Sequence, residues 1–250
     1  MDLHLNEKRA IVTGASQGIG RAIAKTLASE GVQLFITARS GELLDSLSEE
    51  ILKANGRQPY KFPYDFLAAD APQKIADAAL ASLGDIDILI NNVGRSRAVD
   101  VIGNEDEWDT GMALDFTRHR QLTQALLPHF MKRKHGSILN ITSTYELRHV
   151  NVSAVAKASL TVWSKQLAGQ LGELGIRINC LQPGLIDTAN TRRIFSDDEM
   201  KSFASKEIPM GKFGEPEDMA DMATFIVSPR AKYITGSVVV VDGGLRHYAF

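Results

Sequence analysis

The 250-residue sequence contains a single cysteine, Cys180, so no internal disulfide can form and a reducing compartment is expected. No apolar run approaches the roughly 20 residues of a membrane-spanning helix. The opening "MDLHLNEKRAIVTG" has no basic stretch leading into an apolar signal core. Neither charge sign dominates: 28 Lys and Arg against 30 Asp and Glu leave a formal net charge of −2. That balance argues against a broad basic footprint for nucleic acid or an anionic membrane. The six histidines fall at no metal-ligand spacing, and neither HExxH nor CxxC occurs, so no metal is expected. No Pro-, Gly- or Ser-rich linker divides the chain. The expectation is one cytoplasmic domain spanning residues 1–250, with neither nucleic acid nor membrane as partner.

What the sequence does have is alternation. The runs "RAIVTG", "VQLFITA", "QPYKF", "IDILINN", "GSILNIT", "IRINCLQ" and "SVVVVDG" read as strands. Between them lie helical patterns at 18–30, 41–55, 70–83, 105–133, 153–173 and 216–228, with apolar residues such as Leu122, Leu126 and Phe130 at helical spacing. Near-continuous apolar strands separated by helices predict an α/β fold. The form expected is one doubly wound Rossmann-type domain, a seven-stranded parallel sheet with helices on both faces. The polar stretch 189–212 breaks the alternation and follows a strand where such a sheet places its ligand crevice, so it is expected to be a substrate lid.

"TGASQGIG", Thr13 to Gly20, comes directly after the first strand and opens the first helix. Gly14, Gly18 and Gly20 allow a tight turn and close backbone approach to a pyrophosphate. Ser16, Gln17 and Ile19 complete a loop whose helix N-terminus favours an anion. The second strand ends in "TARS". Ala38 stands where an acid would hold a ribose 2′-hydroxyl, and the guanidinium of Arg39 can grip a 2′-phosphate. NADP(H) is therefore expected in preference to NAD(H).

With these motifs in place, the chain resembles a compact short-chain dehydrogenase/reductase of the 3-oxoacyl-reductase-like type over essentially its full length. The resemblance rests on "TGASQGIG", "NNVG" (Asn91 to Gly94), "NITS" (Asn140 to Ser143), Lys157, "PGLIDT" (Pro183 to Thr188), "GEPEDMA" and "YITGSVVVVDGG". It implies that Asp65 and Phe66 border the adenine and that Asn92 and Gly94 lie beside the adenosine ribose. It also implies that Pro183, Gly184, Ile186 and Thr188 hold the nicotinamide carboxamide. Asp65 has an equally simple reading as a turn cap. The family further implies an ammonium at Lys157, a hydroxyl that holds the substrate oxygen at Ser143, and a homotetramer or homodimer formed through the long helices and the C-terminal region.

The chain departs from the family at the chemical centre. The position four residues before Lys157, where a tyrosine would share its helix face, is Ser153. A serine hydroxyl is shorter than a phenol and a far weaker acid, and general acid–base catalysis is worth about 10²–10⁴-fold. Asp115, in "MALDFTRH", replaces the usual asparagine and can pair with Lys157. The segment between Ser143 and Ser153 is shorter than usual. Three readings remain open: Tyr145 supplies the phenol; the protein binds the dinucleotide without chemistry; or Ser143, Ser153, Asp115 and Lys157 serve a different reaction, such as imine reduction, dehydration or isomerisation. Arg95, Arg97, Arg148 and His149 lie in loops at the crevice and can recognise a carboxylate or phosphate. The reading reached is NADP(H)-dependent hydride transfer with a small polar or anionic carbonyl, alcohol or imine. The rivals are a non-catalytic dinucleotide binder and a lyase or isomerase.

Overall fold

Runs of Val, Ile, Leu and Phe form seven strands: β1 (Arg9–Thr13), β2 (Gln33–Ala38), β3 (Tyr60–Pro63), β4 (Ile88–Asn91), β5 (Gly136–Ile141), β6 (Ile176–Pro183) and β7 (Val238–Val241). In the computed structural model of the chain, which describes all residues but 97, 144–146, 148 and 248–250, they form one sheet ordered β3-β2-β1-β4-β5-β6-β7. Every neighbouring pair is parallel. Because side chains alternate across a strand, each central strand supplies both faces. Ala10, Val12, Leu34, Ile36, Ile88 and Ile90 meet α1 (Gly18–Ser29), α2 (Gly41–Lys53) and α8 (Pro216–Val227) on one face. Ile11, Phe35, Leu89, Ile138 and Ile178 meet α3 (Ala71–Leu83), α5 (Arg118–Arg133) and α6 (Val152–Leu171) on the other. The seven-stranded, doubly covered sheet expected from the alternation is the one observed. No helix among the described residues is long and apolar enough to cross a membrane.

Two segments differ from their sequence reading. The stretch 105–133, read as one helix, is α4 (Glu105–Met112), a π-helical turn at Ala113–Thr117, and then α5. The Arg118 N–H bonds the Ala113 carbonyl, so the turn holds one residue more than an α-turn and rotates α5 relative to α4. Hydrophobic periodicity does not register a single inserted residue. The polar stretch 189–212 holds its own helix, α7 (Asp197–Glu207). Ser196 and Glu199 form a capping box at its start. Met200, Ala204, Ile208 and Phe213 form a satellite core beneath it, where the Phe195, Phe203 and Phe213 rings meet edge to face.

A buried polar chain crosses the molecule under the carboxyl ends of β4 and β5. Asn91 Nδ2 donates to Thr123 Oγ1 on α5 at 3.0 Å and to Asn140 Oδ1 on β5 at 2.8 Å, and Asn140 Nδ2 donates to Ser164 Oγ on α6 at 2.8 Å. It fixes α5 and α6 against the sheet at the level from which the site projects. Asn140→Ala strips both neighbours of a partner. The expected cost is about 3 kcal/mol, which in a chain of this size lowers Tm by roughly 6–12 °C in a calorimetric scan.

Candidate active site

Strand order reverses between β1 and β4, which lie side by side in the middle of the sheet, and the crevice of an open α/β sheet opens there. A cleft of about 540 Å³ occupies this place, walled by residues that come after the carboxyl ends of β1 to β6. At one end lies the loop Gly14–Gly20. Gly14 and Gly18 have φ of 65° and 57°, which a side chain would strain. Gln17 enters α1 with extended backbone and no side-chain cap, so the first-turn N–H groups point towards the cleft. Gly14, Ser16, Gln17, Gly18 and Ile19 line the wall. Gly20 does not; it lies under the loop, where a Cβ would come within 2.3 Å of the Gly14 carbonyl oxygen. Arg39, Asp65 and Phe66 line the arm beyond, past the ends of β2 and β3. Asp65 also accepts a hydrogen bond from Leu67 N, which makes it the cap of its own turn.

Asn92 and Gly94 line the cleft after β4. The Asn92 amide, read from the sequence as a ribose neighbour, donates to the carbonyls of Thr13 and Gly14 at 3.1 and 3.2 Å and so locks the glycine loop to β4. Pro183 and Thr188 face the cleft, and Thr188 lies against Gly18. Gly184 and Ile186 are absent from the wall. Gly184 is pressed against Asp242, where a Cβ would be 2.7 Å from its Cα. Ile186 is buried in the core, and its carbonyl accepts from Thr191 Oγ1 at 2.5 Å.

At the other end are Ser143, Ser153 and Lys157. Lys157 is almost fully buried on α6, and its Nζ donates to the Ile141 carbonyl at 2.7 Å. Asp115, inside the π-turn and fully buried, places Oδ1 3.6 Å from that ammonium. Neither carboxylate oxygen makes a hydrogen bond of good geometry among the described residues, but the Ser153 hydroxyl and the Arg95 N–H lie near enough to add to the pull of Lys157 on its pKa. Burial is the main influence on both groups and acts in opposite directions: it raises the Asp115 pKa against the pull of Lys157, and lowers that of Lys157 against the pull of Asp115. Gly94 covers the pair with bare backbone. A Cβ there would lie 2.6 Å from Asp115 Oδ1 and 2.9 Å from Lys157 Nζ.

Ser153 lines the same end of the cleft. Its hydroxyl donates to the Arg95 carbonyl at 2.5 Å and ties α6 to the loop after β4. A second tie is the Val99 N–H to the Val150 carbonyl, and Asn151 caps α6 by accepting from Ala154 N. Sequence reasoning passed over His119. It is wholly buried four residues beyond Asp115, and its Nε2–H donates to the Val93 carbonyl at 2.7 Å, which fixes the backbone that leads into Gly94. Burial, with the Lys157 charge, pulls its pKa down to about 3, so the ring is neutral. Tyr145, Arg97 and Arg148 lie outside the described residues. Arg95 is exposed and lines the cleft, whereas His149 is exposed and off it. No group of three or more His, Cys, Asp or Glu suited to a metal occurs among the described residues.

Comparison with known proteins assigns the architecture to a family. A profile described as Enoyl-(Acyl carrier protein) reductase matches residues 14–246. A 3-oxoacyl-[acyl-carrier-protein] reductase FabG of Aquifex aeolicus is 34% identical over 250 residues, covering 98% of this chain and all of that protein. The glucose 1-dehydrogenase 2 of Bacillus subtilis is 33% identical over 254 residues, covering 98% and 96%. Among solved structures, L-sorbose reductase from Gluconobacter frateurii, complexed with NADPH and L-sorbose, superposes with a TM-score of 0.94 at 29% identity, over 99% of this chain and 100% of that one. The chain belongs to the short-chain dehydrogenase/reductase family of oxidoreductases.

Removing one member of a buried ion pair costs about 3–5 kcal/mol. Lys157→Met therefore leaves Asp115 alone in a medium that resists its charge, and the folded-state pKa of Asp115 rises further. The folded chain then holds a proton that the unfolded chain gives up near pH 4. The stability of Lys157→Met should fall as pH rises from about 4 through the folded pKa of Asp115, and level off above it. Urea titrations across pH should show this slope in Lys157→Met and its absence in the Lys157→Met/Asp115→Asn double variant.

Proposed function

We propose that this protein is an NADP(H)-dependent oxidoreductase that moves a hydride to or from a small carbonyl, alcohol or imine. The observation that carries the reading is one continuous cleft, with a glycine-turned helix N-terminus at one end and a buried lysine beside a serine hydroxyl at the other. The dinucleotide fits this surface: Gly14 to Ile19 would hold its phosphates, Arg39 its 2′-phosphate, and Pro183 and Thr188 its nicotinamide end. Ala38 brings no carboxylate to repel that phosphate. The bound cofactor supplies or accepts the hydride. NADPH in the sorbose reductase complex supports the choice of dinucleotide.

The chain's own work is to hold the substrate oxygen or nitrogen and to manage one proton. Ser143 offers a hydroxyl on the cleft wall. With Ser153 engaged at Arg95, the proton comes from Lys157, whose ammonium is held charged by Asp115. Burial makes this ammonium a stronger acid than an ordinary lysine, closer to what proton donation near neutral pH needs. An imine suits such a site, because it is protonated before the hydride arrives. Residues 189–212, which bring Ala189, Asn190 and Arg193 to the cleft, act as the substrate lid. Exposed Val155 and Val162 on α6 support association into a homodimer or homotetramer, which sedimentation of the purified chain would read.

Absorbance of NADPH should fall with a member of a carbonyl and imine panel, and NADH should serve far worse. Arg39→Gln should weaken NADPH about tenfold or more while leaving NADH unchanged. Tight NADPH binding with no turnover on any member would favour the non-catalytic binder, and product without cofactor oxidation would favour the lyase or isomerase. The pH profile of turnover tests the proton's source. Activity should decline at alkaline pH as Lys157 loses its proton, well before the usual lysine value of about 10.4. Asp115→Asn removes the charge that holds the ammonium and should move that limb to lower pH. An unmoved limb, together with collapse of turnover in Tyr145→Phe, would take the role from Lys157.

A further inference from the structure

Arginines elsewhere in the described chain are engaged: Arg21 with Glu50, Arg133 with Asp85 and Asp87, and Arg192 with Asp187. Arg39, Arg95 and Arg193 have no such partner among the described residues, and all three line the cleft. Lys157 lies on the same wall with its charge met by Asp115, and the one carboxylate that lines the cleft among the described residues is Asp65, so the three arginines outnumber it there in a chain whose net charge is −2. A cleft of one sign concentrates field and selects ligands of the other sign.

The three arginines are not placed alike. Arg39 sits past the end of β2, on the arm that also holds Asp65 and Phe66. Arg95 belongs to the opposite end: it comes directly after Gly94, whose backbone covers the Asp115–Lys157 pair, and its carbonyl receives the Ser153 hydroxyl. Arg193 ends the short 3₁₀ turn Thr191–Arg193 on the segment after β6. That turn is anchored by the residue before it, since Arg192 binds both oxygens of Asp187 at 2.6 Å, and by the Thr191 hydroxyl on the Ile186 carbonyl. Neighbours in a 3₁₀ turn diverge by about 120°. With Arg192 fixed to Asp187, Arg193 is turned to the cleft.

We propose that Arg95 and Arg193 form an anion subsite for the substrate, so that the compound reduced or oxidised carries a carboxylate or phosphate beyond its reacting carbon. This rests on the oxidoreductase reading for the word substrate, but the anion site itself does not. A guanidinium is suited to either head group, because its planar fork donates two parallel hydrogen bonds to paired oxygens.

The test uses the full-length protein saturated with NADP(H). Isothermal titration of the NADP⁺ complex with oxalate, and separately with inorganic phosphate, should detect binding that weakens as salt rises. Each of Arg95→Gln and Arg193→Gln should raise Kd about tenfold, while Kd for NADPH measured on the same variants stays within about twofold of the parent. In turnover, 2-, 3- and 4-oxo acids should exceed their methyl esters in kcat/KM by about tenfold or more, a ratio that collapses in the double variant. Dihydroxyacetone phosphate against dihydroxyacetone makes the same comparison for phosphate, and the better pair identifies the head group. Equal rates for esters and acids, or titrations unaltered by both substitutions, would overturn the proposal. So would a loss confined to NADPH affinity, which would assign Arg193 to the cofactor. Anion binding that disappears in the variants, in a protein that oxidises no NADPH with any substrate, would keep the subsite and remove the oxidoreductase reading instead.

Discussion

The site is organised around the cost of burying one ammonium. Lys157 lies on α6 with almost no exposure, and a charge so placed survives only if neighbours replace the water it has lost. The Ile141 carbonyl at the end of β5 replaces part of it, and Asp115 supplies the opposite charge. Each imposes a further condition. Asp115 must come from the helix facing α6, and the π-turn at Ala113–Thr117 is where that helix is rewound to present it. The backbone crossing over the pair must be Gly94, because any side chain there would collide with both partners. His119, neutral and bonded to Val93, holds that crossing in place without adding a second positive charge.

These linked conditions explain which features were legible in the sequence. The strands were legible because seven short, near-continuous apolar runs alternate with longer stretches of helical period, the pattern of a parallel sheet buried on both faces. The glycine loop was legible because a positive φ at Gly14 and Gly18 is a demand that few other residues meet. The pairing of Asp115 with Lys157 could be anticipated only because a family pattern placed the two positions together. The π-turn that makes the pairing possible left no mark, since one extra residue in a helical turn changes orientation without changing composition. Ser153 was visible as a departure, yet its partner was not. A hydroxyl aimed at the carbonyl of Arg95 is a tertiary contact across 58 residues of sequence. Arg193 was overlooked for a related reason: one arginine in "TRR" looks like the other until Asp187 is seen to hold the first.

Global and local charge carry different information here. A net charge of −2 argues against a broad electrostatic partner, and that inference concerns the whole surface. Within the cleft the balance among the described residues is reversed, because the fold brings Arg39, Arg95 and Arg193 from three separate segments to its walls against the one lining acid Asp65, while Lys157 has its charge met by Asp115. Elsewhere the acids are spent on other arginines and on helix starts, as in Glu50 with Arg21 and Glu199 at the cap of α7. The reversal arises from how charges are paired, and composition cannot report pairing.

Replacing a phenol by Ser153 alters more than one proton. A tyrosine four residues before a lysine would project into the cleft and stand between the ammonium and the substrate. Serine is too short to do so and instead closes the loop after β4 onto α6. The carbonyl that anchors Ser153 belongs to Arg95, which lines the same end of the cleft. One substitution thus couples two consequences: no phenol stands beside the ammonium, and the backbone of Arg95 is tied to α6. On the proposed reading both suit a substrate with a basic reacting atom and an anionic tail. Restoring the tyrosine alone would then not restore an ordinary ketone reductase, because Asp115 would still hold the lysine's charge and the Arg95 loop would lose its tie.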